Sequence, residues 1–186
     1  MPSPITVVIP VYKKPDNLSH YEKEIINRVS EVLIQHKLHL AVPCSLASHY
    51  ESFTDYTVVS FDDYFFQDKN TYSSLLTSIP FYKRLLEFKF LQIIQLDCWI
   101  FSDQLEHFAS LGFDYIGAPW MEGGFQGKPK QKMWKVGNGG FSLRKTESFL
   151  QVLNEIKNGA KGKKVVFTNR FKGLFKFIKN LGFRNN

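Results

Sequence analysis

ITVVIP, Ile5–Pro10, is β-branched at every position until a proline closes it. A strand with one wet face alternates apolar and polar residues, whereas an unbroken run of this kind suits a strand covered on both faces, as in a parallel sheet. Working outward, Asn17 or Ser19 can cap a helix whose apolar positions Leu18, Tyr21, Ile25, Val29, Val32 and Leu33 recur at helical spacing. Leu38–Val42, closed by Pro43, reads as a second strand, which completes a βαβ opening.

The alternation continues. A short helix is expected near Ser45–Phe53, a third strand over Tyr56–Phe61 and a helical pattern over Thr71–Phe88 that breaks at Pro80. Phe90–Leu96 is the fourth and most hydrophobic strand. Ser102 or Asp103 then caps a short helix through Ala109, and Phe113–Gly117 forms a strand running into an Ala118–Pro119–Trp120 corner. Met121–Lys132, with three glycines and a proline, predicts a surface loop. A glycine-interrupted strand, Val136–Leu143, and a helix, Thr146–Lys157, follow. The pattern predicts an α/β fold, one Rossmann-like domain over 1–157 with a mostly parallel, doubly wound sheet. Residues 158–186 form a separate basic segment, expected as an amphipathic helix. In such a sheet ligands bind beyond the carboxyl ends of the strands.

Composition supports one packed core and little more: 186 residues, 44% hydrophobic and 16% aromatic. The start lacks a secretory pattern and the apolar runs are too broken for a membrane span, so a cytoplasmic protein is expected. Cys44 and Cys98 show neither zinc-ligand nor redox-pair spacing. The five histidines lack metal spacing, and no dinucleotide or P-loop glycine motif occurs. Nine of the 24 Lys and Arg lie between Ile156 and Asn186 with no acid among them, leaving fifteen bases against seventeen acids in the rest. The net charge of +7 is therefore a property of the C-terminal stretch. There Phe171, Leu174, Phe175, Ile178 and Leu181 share one helical stripe, with Lys172, Lys176 and Lys179 elsewhere. That pattern over 168–186 suits an anionic membrane surface, or a helix packed on the domain. No nucleic-acid motif accompanies the charge, and nucleic acid is not the expected partner.

Candidate site residues gather after the strands. Asp97, in QLDCWIFSD (Gln95–Asp103), follows the most apolar strand, where a carboxylate is either a turn cap or a ligand for a cation or sugar hydroxyl. Asp103 reads more simply as a helix cap. In VGNGGFSLR (Val136–Arg144) the glycines allow close backbone approach of a ligand or another chain, and Asn138 offers a donor and an acceptor; a plain bulge is the alternative. Trp120 could stack on a sugar or base, or anchor the core. Asp62 and Asp63 either meet a ribose or begin a turn.

With those stretches in hand, the sequence resembles the GT-A glycosyltransferases, and more narrowly an uncharacterised, mainly bacterial glycosyltransferase-like family associated with surface polysaccharides such as capsule and lipopolysaccharide. TVVIPVYKK (Thr6–Lys14), YFF (Tyr64–Phe66), FY (Phe81–Tyr82), QLDCWIFSD, DYIGAPW (Asp114–Trp120) and VGNGGFSLR carry the likeness, over roughly residues 5–155. The resemblance implies transfer of a sugar from a nucleotide-sugar to a hydroxyl of a glycan or lipid-linked acceptor. Asp97 would match the first carboxylate of a DxD-like motif, contacting the donor sugar or a bridging Mn²⁺ or Mg²⁺, with Trp99 where the second Asp stands. Pro10, Tyr12, Gly139 and Gly140 would bind the nucleotide and donor, Asn138 would join Asp97 in catalysis, and Trp120 and Glu122 would face the acceptor. The expected enzyme sits in the cytoplasm, peripheral on the inner face of the membrane. The rival expectation is a shortened, non-catalytic relative that binds a membrane or a partner. A nucleotidyl-transfer site would want a glycine- and lysine-rich loop after the first strand; Tyr12–Lys14 supplies lysines without the glycine.

Overall fold

The computed structural model describes residues 4–121 and 133–158. Six strands form one sheet: β1 (Ile5–Pro10), β2 (Lys37–Pro43), β3 (Thr57–Phe61), β4 (Phe90–Ile94), β5 (Tyr115–Met121) and β6 (Met133–Lys145). Their order across the sheet is β3-β2-β1-β4-β6-β5. β1 pairs parallel with β2 and β4, and β2 parallel with β3, while β6 runs antiparallel to both of its neighbours. The mostly parallel α/β expectation holds.

Helices cover both faces. On one lie α1 (His20–Val32) and α4 (Leu105–Ser110); on the other lie α2 (Lys69–Leu75), α3 (Ile79–Arg84) and α5 (Thr146–Lys157). β1 shows why its run is apolar throughout. Ile5, Val7, Ile9 and Val11 pack with Ile25, Ile26 and Val29 of α1, while Val8 points the other way into a cluster with Leu91, Phe81 and Phe149. Each fully buried Ile, Leu or Val of this kind contributes about 1.5–3 kcal/mol of transfer free energy.

Local chemistry sets the helix starts. At Ser19 a capping box closes α1: its Oγ accepts from the Glu22 amide at 3.2 Å, and its own amide donates to the Glu22 carboxylate at 2.8 Å. The break expected at Pro80 separates α2 from α3, with Ser78 Oγ capping α3 and Pro80 in its first turn.

The short helix expected near Ser45–Phe53 is a 3₁₀ helix, Cys44–Tyr50. Two local expectations differ. β4 ends at Ile94, three residues before Asp97. β5 continues through Ala118–Pro119–Trp120 instead of turning a corner. β5 is an edge strand, where proline's missing N–H costs no ladder bond, and register shifts around Ala118 and Pro119 absorb the irregularity. The basic segment 158–186 lies outside the described residues beyond its first residue. Among the described residues no helix is long and apolar enough to cross a membrane.

Candidate functional site

The chain leaves β1 toward β2 on one side, while β4 lies on the other, so the carboxyl ends of β1 and β4 flank the switch point of the sheet. A cavity of about 490 Å³ opens there. Its wall draws Pro10 and Tyr12 from the end of β1, Glu22 from α1, Phe66–Lys69 and Tyr72 from the approach to and body of α2, and Gln95–Asp97 from the turn after β4. The structure thus brings Pro10, Tyr12 and Asp97 together, whereas Gly139 and Gly140 are not in the lining.

Three carboxylates reach this cavity, and their commitments differ. Glu22 accepts both contacts of the Lys13 ammonium, at 2.8 and 3.1 Å. Burial pushes its pKa up, but Lys13 and the Ser19 amide outweigh burial and hold the carboxyl below its ordinary value. Asp68 caps α2, accepting from the Asn70 and Thr71 amides, and those bonds lower its pKa. Asp97 is exposed and its carboxylate takes a weak bond from the Cys98 thiol at 3.3 Å. Burial and that carboxylate push the Cys98 thiol up to about 12, so it stays protonated. Asp97 has the fewest protein contacts of these three and therefore the most capacity left for a ligand.

Tyr12 is 60% exposed at the rim, with Lys13 Nζ over its ring, 5.9 Å from the centre. Trp99 goes elsewhere. It stacks on Tyr21 with ring centres 6.4 Å apart, under the Arg28 guanidinium, and lines a second, more apolar cavity of about 450 Å³ against α4 and β6.

The β6 glycines stand behind the first cavity. Gly139 gives its carbonyl to Ser142 Oγ and Arg144 Nη2, and the Gly140 carbonyl accepts from the Gln95 amide at 2.9 Å. A Cβ on Gly140 would overlap the Gln95 carboxamide. The close approach that the glycines allow is therefore that of Gln95, which lines the cavity. In β6 the backbone of Asn138 pairs with Ala118, and in β5 that of Trp120 pairs with Lys135; the side chains of Asn138 and Trp120, and all of Glu122, lie outside the described part. Asp62 and Asp63 serve turns, accepting from the Tyr64 and Ser45 amides. Asp103 stands one residue before the N-cap of α4, Gln104; it accepts from the Leu105 amide and pairs with His36 at 2.9 Å.

Sequence reasoning passed over Gln67, Lys69, Tyr72 and Gln95. Lys69 and Tyr72 sit in a helix whose periodicity registers only its apolar face, and Gln95 reads as an interruption of a hydrophobic run. Arg144 was also missed. It is wholly buried on β6, donating to the Leu76 and Gly139 carbonyls, Ser142 Oγ and Tyr82 Oη.

Several solved structures are similar to this chain at low identity. A 4-diphosphocytidyl-2C-methyl-D-erythritol synthase from Anaerococcus prevotii is 10% identical, with a TM-score of 0.51 over 94% of this chain and 82% of that one. S. aureus TarS is 13% identical, with a TM-score of 0.49 over 80% of this chain. The mannosyltransferase PcManGT from Pyrobaculum calidifontis, solved with GDP-Man and Mn²⁺, is 13% identical with a TM-score of 0.39 over 64% of this chain. The chain spans 29% of the TarS chain and 38% of the mannosyltransferase chain. The synthase likeness shows the α/β fold alone. No curated protein sequence matches the chain. Residues 55–179 match a family described as "Protein of unknown function (DUF5672)", a span that takes in α2, the turn bearing Asp97 and the β6 glycines behind Gln95. On that match the chain belongs to the DUF5672 family.

Proposed function

We propose that the protein is a glycosyltransferase that moves a sugar from a nucleotide-sugar to the hydroxyl of a glycan or lipid-linked acceptor. The observation that carries this reading is the switch-point cavity itself, with an exposed aromatic rim, Tyr12, on one side and an uncommitted carboxylate, Asp97, on the other. Tyr12 stacks on the nucleobase, a contact open to any base face. Pro10 ends β1 where the nucleotide enters, and Lys69, on the cavity wall, supplies positive charge toward the diphosphate.

Asp97 orients the donor sugar or holds a divalent cation. Mg²⁺ and Mn²⁺ are commonly satisfied by one or two protein carboxylates plus phosphate oxygens and water, so a single free carboxylate facing a diphosphate fits such an ion. A bound cation would neutralise charge on the departing diphosphate. Transfer breaks the bond between the anomeric carbon and the phosphate oxygen, whose electron pair leaves with the nucleoside diphosphate. The acceptor oxygen bonds to the anomeric carbon and gives its proton to a base. In this scheme Asn138 serves the donor, Gly139 and Gly140 back the donor wall through Gln95, and Trp120 and Glu122 serve the acceptor, with Glu122 as base. The basic stretch 168–186 would hold the enzyme at an anionic cytoplasmic membrane face, near a lipid-linked acceptor.

A thermal-shift screen against UDP-, GDP-, CMP- and dTDP-sugars, each with and without Mn²⁺, tests the reading. Ligand at a hundredfold excess over its Kd stabilises the fold by about 2.7 kcal/mol, a rise of several degrees. The expected result is a shift with one nucleotide family that Asp97→Asn reduces. Silence across the whole panel would overturn the proposal.

A further inference from the structure

The Gln95 carboxamide is built into the cavity in a manner that the donor reading leaves unused. Gln95 follows β4 directly, its backbone amide is tied to the Gly140 carbonyl, and its side chain lies where a Cβ on residue 140 would otherwise be. Its carboxamide lines the cavity. Beside it, the Tyr72 hydroxyl is buried and without a hydrogen-bond partner of good geometry, Gln95 being its loose neighbour. Burial pushes that phenol up to about 12, so it remains an O–H donor at neutral pH. Behind both, Arg144 fixes the Gly139 carbonyl, so the strand carrying Gly140 cannot drift away from Gln95.

A half-buried carboxamide seated over a glycine, with the buried Tyr72 hydroxyl as its loose neighbour, is an arrangement for reading something polar and uncharged. A carboxamide presents one acceptor and two donors side by side, which matches neighbouring hydroxyls better than it matches a phosphate. We propose that Gln95 is the residue of this cavity that recognises the hydroxyls of the donor's sugar, with Gly140 and Tyr72 as positioning residues. Tyr72 aims the carboxamide by donating to its oxygen, leaving the amide hydrogens for the sugar. Gly140 leaves the space in which the carboxamide lies. This inference rests on the donor reading given above and goes further in assigning sugar, as distinct from nucleotide, recognition to one side chain.

The test compares each nucleotide-sugar with its own free nucleoside diphosphate by calorimetry: UDP-glucose, UDP-N-acetylglucosamine, GDP-mannose and dTDP-glucose against UDP, GDP and dTDP. Wild-type protein is expected to prefer one nucleotide-sugar over its diphosphate. Gln95→Ala should erase about tenfold of that preference while leaving the diphosphate affinity within twofold, the effect of one lost hydrogen-bonding group. Gly140→Ala should act like Gln95→Ala, because the atoms nearest to the new methyl all belong to the Gln95 side chain, which has to move aside. Adding Gly140→Ala to Gln95→Ala should then change nothing further. Should both single variants keep the wild-type preference, or should wild-type protein bind the diphosphate as tightly as the sugar form, the assignment to Gln95 is overturned and the nucleotide reading stands. Should nothing in the panel bind, both fall.

Discussion

Asp97 and Trp99 stand two residues apart on the turn after β4 and open onto different cavities. Asp97 lines the space between β1 and β4, whereas Trp99 turns across to Tyr21 and Arg28 of α1 and lines the apolar space beneath α4. In the DxD-like pattern both positions hold acids that can share one ligand. Here Trp99 packs between the turn and α1, so Asp97 is the carboxylate that this turn presents to the cavity.

Asp97→Asn separates that role from folding. The residue is exposed and its weak contact with a thiol is of the kind that surface substitutions lose within about 0.5 kcal/mol. The melting temperature should therefore hold. Losing a charged hydrogen-bonding or cation-binding group costs about 1.5–3 kcal/mol, so donor affinity measured with Mn²⁺ should fall about ten- to a hundredfold. Equal affinity in both proteins would remove Asp97 from the site.

Trp99→Ala should behave in the opposite way. It removes a stacked ring and a cation–π contact at a half-exposed position, at a cost of about 1–2 kcal/mol in urea unfolding. Nucleotide affinity should stay within twofold, because Trp99 faces the other cavity. A large loss of nucleotide binding with an unchanged melt would show that the turn carries Trp99 into the donor site.

Much of this was legible in the sequence because burial on two faces and turn chemistry leave plain marks. The β-branched run Ile5–Pro10 became β1 residue for residue, Ser19, one of the two caps the sequence offered, starts α1, and Pro80 lies where the helical pattern splits. Gln95, Tyr72 and Arg144 were not legible. Gln95 reads as an interruption of an apolar run, Tyr72 sits among Thr and Ser, and Arg144 precedes Lys145; what each does depends on β6 lying antiparallel beside β4, a pairing between segments some fifty residues apart that periodicity does not encode. The glycines of β6 were noticed for the right reason, close approach, but the group that approaches Gly140 is a side chain from the neighbouring strand end.

His39 gives the fold a calculable weakness in acid. It is buried on β2 against Thr6, with Nδ1 2.7 Å from the Thr6 hydroxyl, and burial, helped by Lys37, lowers its pKa from 6.5 to about 4. Between those values the unfolded chain binds a proton that the folded chain refuses, so stability falls as pH drops from about 6.5 to about 4 and levels off below. Above pH 6.5 the residue should add no pH dependence. Urea unfolding across pH 4–8 should show this slope in wild-type protein and a shallower one in His39→Gln; parallel curves would assign the acid sensitivity to other groups.

Arg144→Lys should be among the most damaging single changes to the fold, although it keeps the charge. The guanidinium is wholly buried, stands 5.3 Å from the centre of the Phe149 ring and satisfies four separate oxygens, none of them a carboxylate among the described residues. Neutral partners offset desolvation only through geometry, so the fork is what makes the buried charge tolerable. A lysine ammonium has three donors and no plane; it cannot meet the Leu76 and Gly139 carbonyls, Ser142 and Tyr82 together, and each acceptor left dry costs about 1–3 kcal/mol. The expected loss is about 3–5 kcal/mol in urea unfolding, with Arg144→Met comparable or milder because it removes the buried charge along with its bonds. If Arg144→Lys unfolds within about 1 kcal/mol of wild-type protein, the four contacts are not what hold β6 to α2 and α3, and the rigid seat inferred for Gln95 loses its support.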